Sequence, residues 1–431
     1  MRRLSSLTYV GVGALGAALI SPAVLPAAGS SAKGDPEPRH IVYEDFDSAA
    51  EFGSGGFDGT TATLDGLRIS EPVGQRDYTD PYGDGSTTTY DYGAWTSPAV
   101  GPGFDYTELI ASWDAKTPGD SWIEVQVRGT ADTGQQSKWY VLGRWTAGDE
   151  NLHRTSVGGQ ADELATVYVD TLATLNKHTF TDWQLRVELY RAAGTDATPT
   201  VSSVGAMASK LPDDKKVPVS PSGGAEGIVL DVPTYSQETH IGEYPQWDGG
   251  GEAWCSPTST AMVLDYWGMG PTPEDTSWVD PAYDDPQVDH AARYVYDYRY
   301  DGAGNWPYNT AYATTFGLDG FVTRLRSLTE AEQFIKAGIP LVVSMSFKKG
   351  DLDGAGYGTN GHLMVIVGFD QNGDVVVNDP ASHLIPSNDE VRFTYKRSQF
   401  ENAWIPHSGG VAYVIHPAGM PLPAAPAEAN W

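Results

Sequence analysis

Residues 254–268 read WCSPTSTAMVLDYWG, and this stretch decides the fold of the second half of the chain. It predicts a helix that begins at Ser256 or Pro257, because proline is favoured in the first helical turn, and that ends at Gly268. Cys255 then lies at the helix N-terminus, where unsatisfied backbone N–H groups and the helix dipole favour a thiolate over a thiol. On position alone, a small buried apolar side chain is an equally good interpretation of this cysteine.

The sequence after this helix predicts an α+β arrangement, with helices first and most strands later. We expect further helices at 287–298 and 308–316, and a shorter one that begins at Thr329, where Thr329 and Glu332 fit a capping box. Strands are predicted at 340–347, 362–369, 375–378, 391–395 and 411–415. Asn372-Gly373 is a favoured two-residue turn, so the second and third of these strands should form an antiparallel hairpin.

The first half of the chain has a different pattern. Residues 40–208 read as short strands separated by Gly-, Asp- and Thr-rich turns, and the segment 183–190 (WQLRVELY) alternates apolar and polar residues. We therefore predict an N-terminal all-β sandwich, jelly-roll-like, over residues 40–208. Residues 209–228 are rich in Pro, Gly, Ser and charge and predict an interdomain linker, residues 229–418 form the second domain, and the Pro- and Ala-rich residues 419–431 predict a mobile tail.

The composition limits the compartment and the partners. Arg2 and Arg3 precede an uncharged apolar run, which predicts a signal peptide at residues 1–32, with an uncleaved membrane anchor as the alternative. We expect the mature protein to be secreted, extracellular, monomeric and without a membrane span. The chain has 56 acidic and 27 basic residues and a formal net charge of −29, which excludes general binding to nucleic acid. Cys255 is the one cysteine, so no intrachain disulfide is possible.

Two further residues can join Cys255 in a reactive site. His362 opens the predicted strand at 362–369, after a Gly-rich loop, and Asp379 closes the next strand of the hairpin. The hairpin can therefore place Asp379 beside His362, so that a carboxylate orients the imidazole while the other ring nitrogen faces the thiolate. Taken singly, His362 also fits a surface histidine, and Asp379 fits a turn-forming residue before proline.

Four blocks, in this order along the chain, resemble cysteine peptidase family thirty-nine, the bacteriocin-processing type. They are 232–237 (VPTYSQ), 254–268, 361–369 (GHLMVIVGF) and 378–380 (NDP). Within that family they are most similar to secreted stand-alone members without transporter domains, and the resemblance covers residues 229–418. It implies a papain-like cysteine peptidase domain over these residues.

The resemblance also implies a role for each candidate residue. Cys255 matches the nucleophile, His362 the general base and acid, and Asp379 the residue that orients His362. A glutamine before the cysteine helps to form the oxyanion hole in this family. Gln237 matches its Pro-x-x-Ser-Gln context, and Gln246, which lies nearer to Cys255 in sequence, is the rival.

Together these features predict a secreted thiol protease that hydrolyses peptide or amide bonds through a Cys-His-Asp triad and an acyl-enzyme. It should act on a peptide or protein substrate, and we predict no cofactor and no metal site. Acyl transfer, as in transglutaminase-like proteins, uses the same three residue types and is the first alternative.

A non-catalytic binding protein is an alternative from another class. The tryptophans of the N-terminal domain would then form a platform for carbohydrate or for a cell-wall polymer, whereas their simpler interpretation is sandwich core. The acidic loop at 77–91 fits either a calcium site or, more simply, a solvated turn.

Overall fold

The computed structural model describes residues 37–431, so the predicted signal peptide at residues 1–32 lies outside the described residues. Within the described range the chain forms a mostly β N-terminal domain and a C-terminal domain of mixed helices and strands. None of the helices in this range is long and apolar enough to cross a membrane.

Two antiparallel sheets form the N-terminal domain, and side chains from both belong to one apolar core. The seven-stranded sheet contains β1 (His40–Phe46), β3 (Thr60–Thr63), β4 (Gly66–Ile69), β7 (Glu108–Lys116), β10 (Ala165–Tyr168), β11 (Thr171–Thr174) and β13 (Thr200–Lys210). The six-stranded sheet contains β2 (Gly56–Asp58), β5 (Gly74–Thr79), β6 (Thr87–Thr96), β8 (Trp122–Ala131), β9 (Tyr140–Trp145) and β12 (Phe180–Ala192). A single short helix, α1 (Ala49–Phe52), follows β1.

The strand order gives the topology of the two sheets. The first sheet runs β10-β11-β7-β13-β4-β3, with β1 also paired to β13, and the second runs β2-β6-β12-β8-β9, with β5 paired to β6. In β12 Trp183, Leu185, Val187 and Leu189 are buried, as the alternation predicted, but Glu188 and Tyr190 on the other face are also buried. In both sheets, strands that are distant in sequence are paired, and the two sheets enclose a shared core.

The tryptophans of this domain lie mostly in the core. Trp95, Trp113, Trp122, Trp145 and Trp183 are at most 3 % exposed. Trp139 is half-buried, with the guanidinium groups of Arg128 and Arg186 over its ring. Their burial favours the core interpretation over a tryptophan platform for a polymer ligand, although Trp122 belongs to a smaller cluster with Tyr90, Leu152 and Tyr190.

One six-stranded antiparallel sheet lies between two groups of helices in the C-terminal domain. In order across the sheet its strands are β14 (Leu318–Arg324), β19 (Val411–Pro417), β15 (Leu341–Phe347), β16 (Thr359–Phe369), β17 (Val375–Asn378) and β18 (Arg392–Tyr395). One face of the sheet packs against three helices, α2 (Cys255–Tyr266), α3 (Pro286–Val295) and α4 (Trp306–Thr314). The other face packs against two helices, α5 (Leu328–Lys336) and α6 (Arg397–Ser408). Four 3-10 helices, at Gln237–His240, Gly251–Ala253, Ser382–Leu384 and Asn388–Glu390, lie in the loops.

The run of apolar residues in β16 is explained by its position in the middle of this domain. Leu363, Val365 and Val367 pack in the core shared with α2, whereas Met364 and Ile366 pack in the core shared with α5 and α6. Because successive side chains of a strand point to opposite faces, a strand covered on both faces needs apolar residues at every position.

Most predicted elements of the C-terminal domain are present, and three features differ. The hairpin between β16 and β17 is antiparallel, as Asn372-Gly373 predicted. Strand β14 and helix α6 were not predicted. The capping box at Thr329 is wrong, because the N-cap of α5 is Ser327, the Thr329 hydroxyl donates to the carbonyl of Pro221, and Glu332 pairs with Arg397.

The predicted linker at residues 209–228 packs on the C-terminal domain. The backbone N–H of Val217 donates to Asn402 at 3.0 Å, and that of Ser220 donates to Glu401 at 2.8 Å. Both acceptors lie on α6, and the linker continues to α5, where the N–H of Gly223 contacts Glu332. A segment with few apolar residues is thus held by polar side chains of the two outer helices.

The last residues of the chain differ from the mobile tail that their composition predicted. Asn430 is fully buried; its Nδ2 donates to the carbonyl of Arg324 at 2.7 Å, and its own carbonyl accepts from the Thr323 hydroxyl. The Trp431 indole N–H donates to the carbonyl of Pro423 at 2.8 Å. Composition misled here because a few residues at the very end, Glu428, Ala429 and Asn430, provide the attachment rather than the Pro- and Ala-rich stretch before them.

The two domains share one continuous core rather than a wet interface. Tyr308 of α4 packs between Trp113 and Trp145 of the N-terminal sheets. Arg154 is fully buried at the junction and donates to the carbonyls of Thr146 and Arg293 at 3.1 and 2.9 Å, the second of which belongs to the other domain.

Candidate active site

Three elements bring the predicted residues together. Cys255 is the first residue of α2, His362 lies in β16, and Asp379 directly follows β17. Pairing of β16 with β17 places Val365 opposite Asn378, so His362 and Asp379 lie at the same end of the hairpin. Helix α2 packs against β16, which brings its N-terminus to that end as well.

The imidazole of His362 joins the other two side chains. Its Nε2 lies 2.8 Å from Oδ1 of Asp379, and the thiol of Cys255 is near enough to contribute to the pKa of the ring. Because Nε2 is occupied by the carboxylate, Nδ1 is the nitrogen available to the thiol. Burial lowers the pKa of His362, but the charge and hydrogen bond of Asp379, helped by Cys255, raise it overall to about 10.

The carboxylate of Asp379 is fully buried and accepts hydrogen bonds from several donors. Besides His362, these are the hydroxyls of Tyr357 and Tyr395, each 2.8 Å from Oδ2, and the N–H of Ala381, 3.0 Å from Oδ1. Burial alone would raise the pKa of Asp379, but His362 and the two tyrosines lower it below its ordinary value. The carboxylate is therefore kept ionised inside the protein.

Neither tyrosine was predicted from the sequence. Tyr357 lies in the Gly-rich loop before β16, where no spacing links it to Asp379. Tyr395 ends β18, opposite Val375 of β17. The register would not have located Tyr395, because it places Arg392 opposite Asn378, the residue before Asp379.

Gln237 lies in the same cleft as Cys255 and His362, whereas Gln246 is exposed and does not line it. The backbone N–H of Gln237 donates to the carbonyl of Pro380 at 2.9 Å, next to Asp379. Its side-chain Nε2 donates to the carbonyl of Glu252 at 2.8 Å, which leaves the second Nε2 proton free for another acceptor. Of the two rivals, only Gln237 lines the cleft that contains the thiol.

The cleft has a volume of about 300 Å³, and Cys255 is partly exposed within it. Glycines 304, 358 and 361 line one part, where a chain can approach the backbone closely. Glu238, Asp248 and Glu252 also line it, and its lining contains no lysine or arginine. Burial raises the pKa of Asp248 to about 7 and also raises that of Glu238, so the preference of the cleft for a cationic ligand should strengthen as the pH rises.

A larger cavity, of about 490 Å³, lies in the N-terminal domain beside the acidic loop and contains none of the candidate residues. Asp80 there accepts from the Nδ1 and the backbone N–H of His153, at 2.6 and 2.8 Å. Asp77 and Asp91 accept from Thr89 and Gln75 within the β5–β6 hairpin. These carboxylates are engaged separately and do not converge, which favours the solvated turn over the calcium site.

A partly exposed thiol at a helix N-terminus, facing an imidazole that a buried carboxylate orients, is the kind of site that cysteine-type hydrolases use. Comparison with protein families agrees with this class. Residues 42–209 match the family described as "Peptidase C39 N-terminal domain", and residues 229–411 match the "Peptidase_C39 like family". The chain thus belongs to the C39 peptidase family. None of the curated proteins matches the chain.

Proposed function

We propose that this protein is a secreted cysteine peptidase that hydrolyses peptide or amide bonds through Cys255, His362 and Asp379. The observation that supports it most is the position of His362, which lines one cleft with Cys255 and lies 2.8 Å from the buried carboxylate of Asp379. The finer fold assignments, a jelly-roll-like sandwich and a papain-like domain, belong to the same proposal. They are supported by the two-sheet core and by the packing of α2 against β16.

In the first step the Cys255 thiolate attacks the carbonyl carbon of the scissile amide, and the carbonyl electron pair moves to oxygen. The free Nε2 proton of Gln237 and the backbone N–H of Cys255 donate to that oxyanion, a contact that is worth about 3 kcal/mol per donor in comparable sites. The imidazolium of His362 then gives its proton to the leaving amine as the C–N bond breaks, and an acyl-enzyme remains.

In the second step His362, now neutral, removes a proton from water, which attacks the thioester and releases the carboxylic acid and the thiolate. Asp379 stabilises the imidazolium whenever it forms and holds the ring in one orientation. The hydrogen bonds from Tyr357 and Tyr395 keep Asp379 ionised for this task.

The substrate class follows from the cleft. Glu238, Asp248 and Glu252 line it without a compensating lysine or arginine, so a peptide with basic side chains or a free amine near the scissile bond should bind best. The formal net charge of −29 acts in the same direction at longer range. No observation favours a carbohydrate or cell-wall polymer as the ligand of the N-terminal domain.

The test is incubation of the protein with a mixed peptide library, with products read by mass spectrometry. Wild type should cleave, with enrichment of lysine or arginine near the cleavage site, and the Cys255→Ala variant should yield no products above background. Aminolysis products formed with an added amine would identify acyl transfer instead. Cleavage that persists in Cys255→Ala, or a folded wild type that turns over nothing in the library, would refute the proposal.

A further inference from the structure

A second group of reactive side chains is buried outside the cleft. His240 and Glu243 lie on one turn that begins in the 3-10 helix Gln237–His240, and Asp289 lies on α3. Nδ1 of His240 is 2.7 Å from Oε2 of Glu243 and 3.6 Å from Oδ2 of Asp289. One nitrogen or oxygen atom from each residue lies within 4.8 Å of the other two. The three side chains therefore face a common point.

These side chains lack the partners that buried polar groups need. His240 and Asp289 are fully buried and Glu243 is 7 % exposed. Both carboxylate oxygens of Asp289 have no hydrogen-bond partner among the described residues, and no lysine or arginine in that range pairs with Glu243 or Asp289. Burying two carboxylates this close together is strongly unfavourable unless a cation or a proton lies between them.

The donor set indicates what kind of cation fits. One imidazole nitrogen and two carboxylate oxygens are ligands of Zn²⁺ and related divalent transition metals, with bonds of about 2.0 to 2.2 Å. Calcium and magnesium prefer sets made only of oxygen. Neighbouring ligand atoms around a tetrahedral zinc are about 3.4 Å apart, so small side-chain movements would adapt the observed spacings of 2.7 and 3.6 Å.

We propose that His240, Glu243 and Asp289 form a structural binding site for a divalent transition metal of the zinc class. None of the three lines the active-site cleft. The ion would fasten the turn that carries Gln237 to α3. It would also brace the segment before Cys255, because the ring of His240 packs against Trp254, the residue preceding Cys255, at a centroid distance of 5.9 Å.

The sequence could not reveal this site. His240 and Glu243 are three residues apart, but Asp289 lies on another element, and the three together fit no established zinc spacing. The site became visible only when the fold brought α3 against the turn.

The test uses the full-length Cys255→Ala protein, because a thiol beside an imidazole could itself bind zinc. The protein is stripped with EDTA, incubated with Zn²⁺ or Co²⁺, passed through a desalting column and analysed for metal by mass spectrometry. We expect about one ion per chain, a visible Co²⁺ absorption band and a higher melting temperature with Zn²⁺. Replacing Asp289 by Asn (Asp289→Asn) should weaken binding at least tenfold, whereas Asp284→Asn, an exposed carboxylate nearby, should leave it unchanged.

Two outcomes would overturn the assignment. One is a stripped protein that takes up neither Zn²⁺ nor Co²⁺ and melts at the same temperature with or without them, as expected if a shared proton bridges Glu243 and Asp289. The other is an Asp289→Asn variant that binds as tightly as its parent. Circular dichroism and elution volume establish that each variant is folded, and Asp289→Asn relieves a repulsion, so its metal-free form should be at least as stable as that of the parent.

Discussion

At the scale of single residues, the imidazole of His362 links the candidate nucleophile to the carboxylate. The pKa of His362 is raised to about 10, chiefly by Asp379 against the effect of burial. The ring therefore stays protonated through the neutral range, and an imidazolium beside the thiol favours the thiolate. Because the folded-state pKa is raised, its contribution to stability is complete below about pH 6.5 and is lost as the pH rises through about 10.

This charge predicts unusual reactivity of Cys255. Alkylation by iodoacetamide at pH 6 should be at least about tenfold faster than that of a free cysteine. His362→Ala should slow the reaction at pH 6. His407→Ala, which changes an exposed histidine, is the matched control. A rate no faster than that of free cysteine would contradict a thiolate–imidazolium pair.

The second prediction at this scale concerns Tyr395, which donates to Asp379 but does not line the cleft. Tyr395→Phe removes one hydrogen bond to a buried charge, so the free energy of unfolding at pH 7 should fall by about 1.5 to 3 kcal/mol. The pKa of Asp379 should rise with the loss of this donor, which moves the acidic limb of the activity profile to higher pH.

Urea unfolding and a pH profile of kcat/KM measure the two effects of Tyr395→Phe. Tyr168→Phe, at an exposed tyrosine, serves as the control. An acidic limb that does not move would mean that Tyr395 has no role beyond packing.

Residue types and spacing were enough to predict the positions of Cys255, His362 and Asp379, because a helix start and a hairpin are local features. Choosing between Gln237 and Gln246 required the fold, since both precede Cys255 in a loop whose course no periodicity describes. Tyr357 and Asp289 were out of reach for the same reason. Their partners lie on other elements, and a local sequence pattern does not show which elements will come into contact.

At the scale of elements, α5 has an N-terminus that is capped from outside. The N–H of Leu328, its first residue, donates to Oε1 of Glu401 at 2.9 Å, and the other oxygen of Glu401 accepts from Ser220 of the linker at 2.8 Å. Glu401 lies on α6 and is 1 % exposed. One carboxylate therefore joins α5, α6 and the linker.

Replacing Glu401 should consequently affect stability more than replacing the predicted cap. Glu401→Ala leaves two N–H groups without an acceptor and should lower the free energy of unfolding by about 2 to 4 kcal/mol. Glu401→Gln should restore part of that loss. Thr329→Ala should cost less than about 1 kcal/mol, because Thr329 does not cap the helix. Denaturant midpoints measure all three, and equal losses for Thr329→Ala and Glu401→Ala would refute the external cap.

Local sequence predicted elements well where one pattern dominated. Helix α2 and the hairpin of β16 and β17 have clear start, turn and burial signals. Helix α6 was missed because Pro406 interrupts its helical pattern near the end, and β14 because Gly320 and Asp319 weaken a strand signal. In both cases packing against the central sheet outweighs the local preference.

At the scale of the whole molecule, the junction between the domains is part of one buried core. Arg154 lies there, and its guanidinium group donates to five backbone carbonyls, those of Thr146, Ala147, Gly148, Arg293 and Tyr296. The N–H of Ser156 donates to Asp297 across the same junction at 2.9 Å. Separating the domains would expose this polar network and the apolar core around it.

The two domains should therefore unfold together. Differential scanning calorimetry is expected to show one transition for the full chain. Arg154→Met, which removes the donors while keeping an apolar stem, should destabilise the whole protein by about 3 kcal/mol or more, whereas Arg68→Met, at an exposed position, should change stability little. Two well-separated transitions in the wild type would contradict a shared core.

The packed tail has a mechanical consequence. Glu428 accepts from the N–H of Ile41 at 2.7 Å and lies 2.9 Å from Nδ1 of His40, while the N–H of Tyr43 donates to the carbonyl of Ala429 at 3.0 Å. The first strand and the last residues of the described chain are thus tied to each other. A tensile force applied between these two ends would load these hydrogen bonds first, before any strain reached the helix that begins at the thiol.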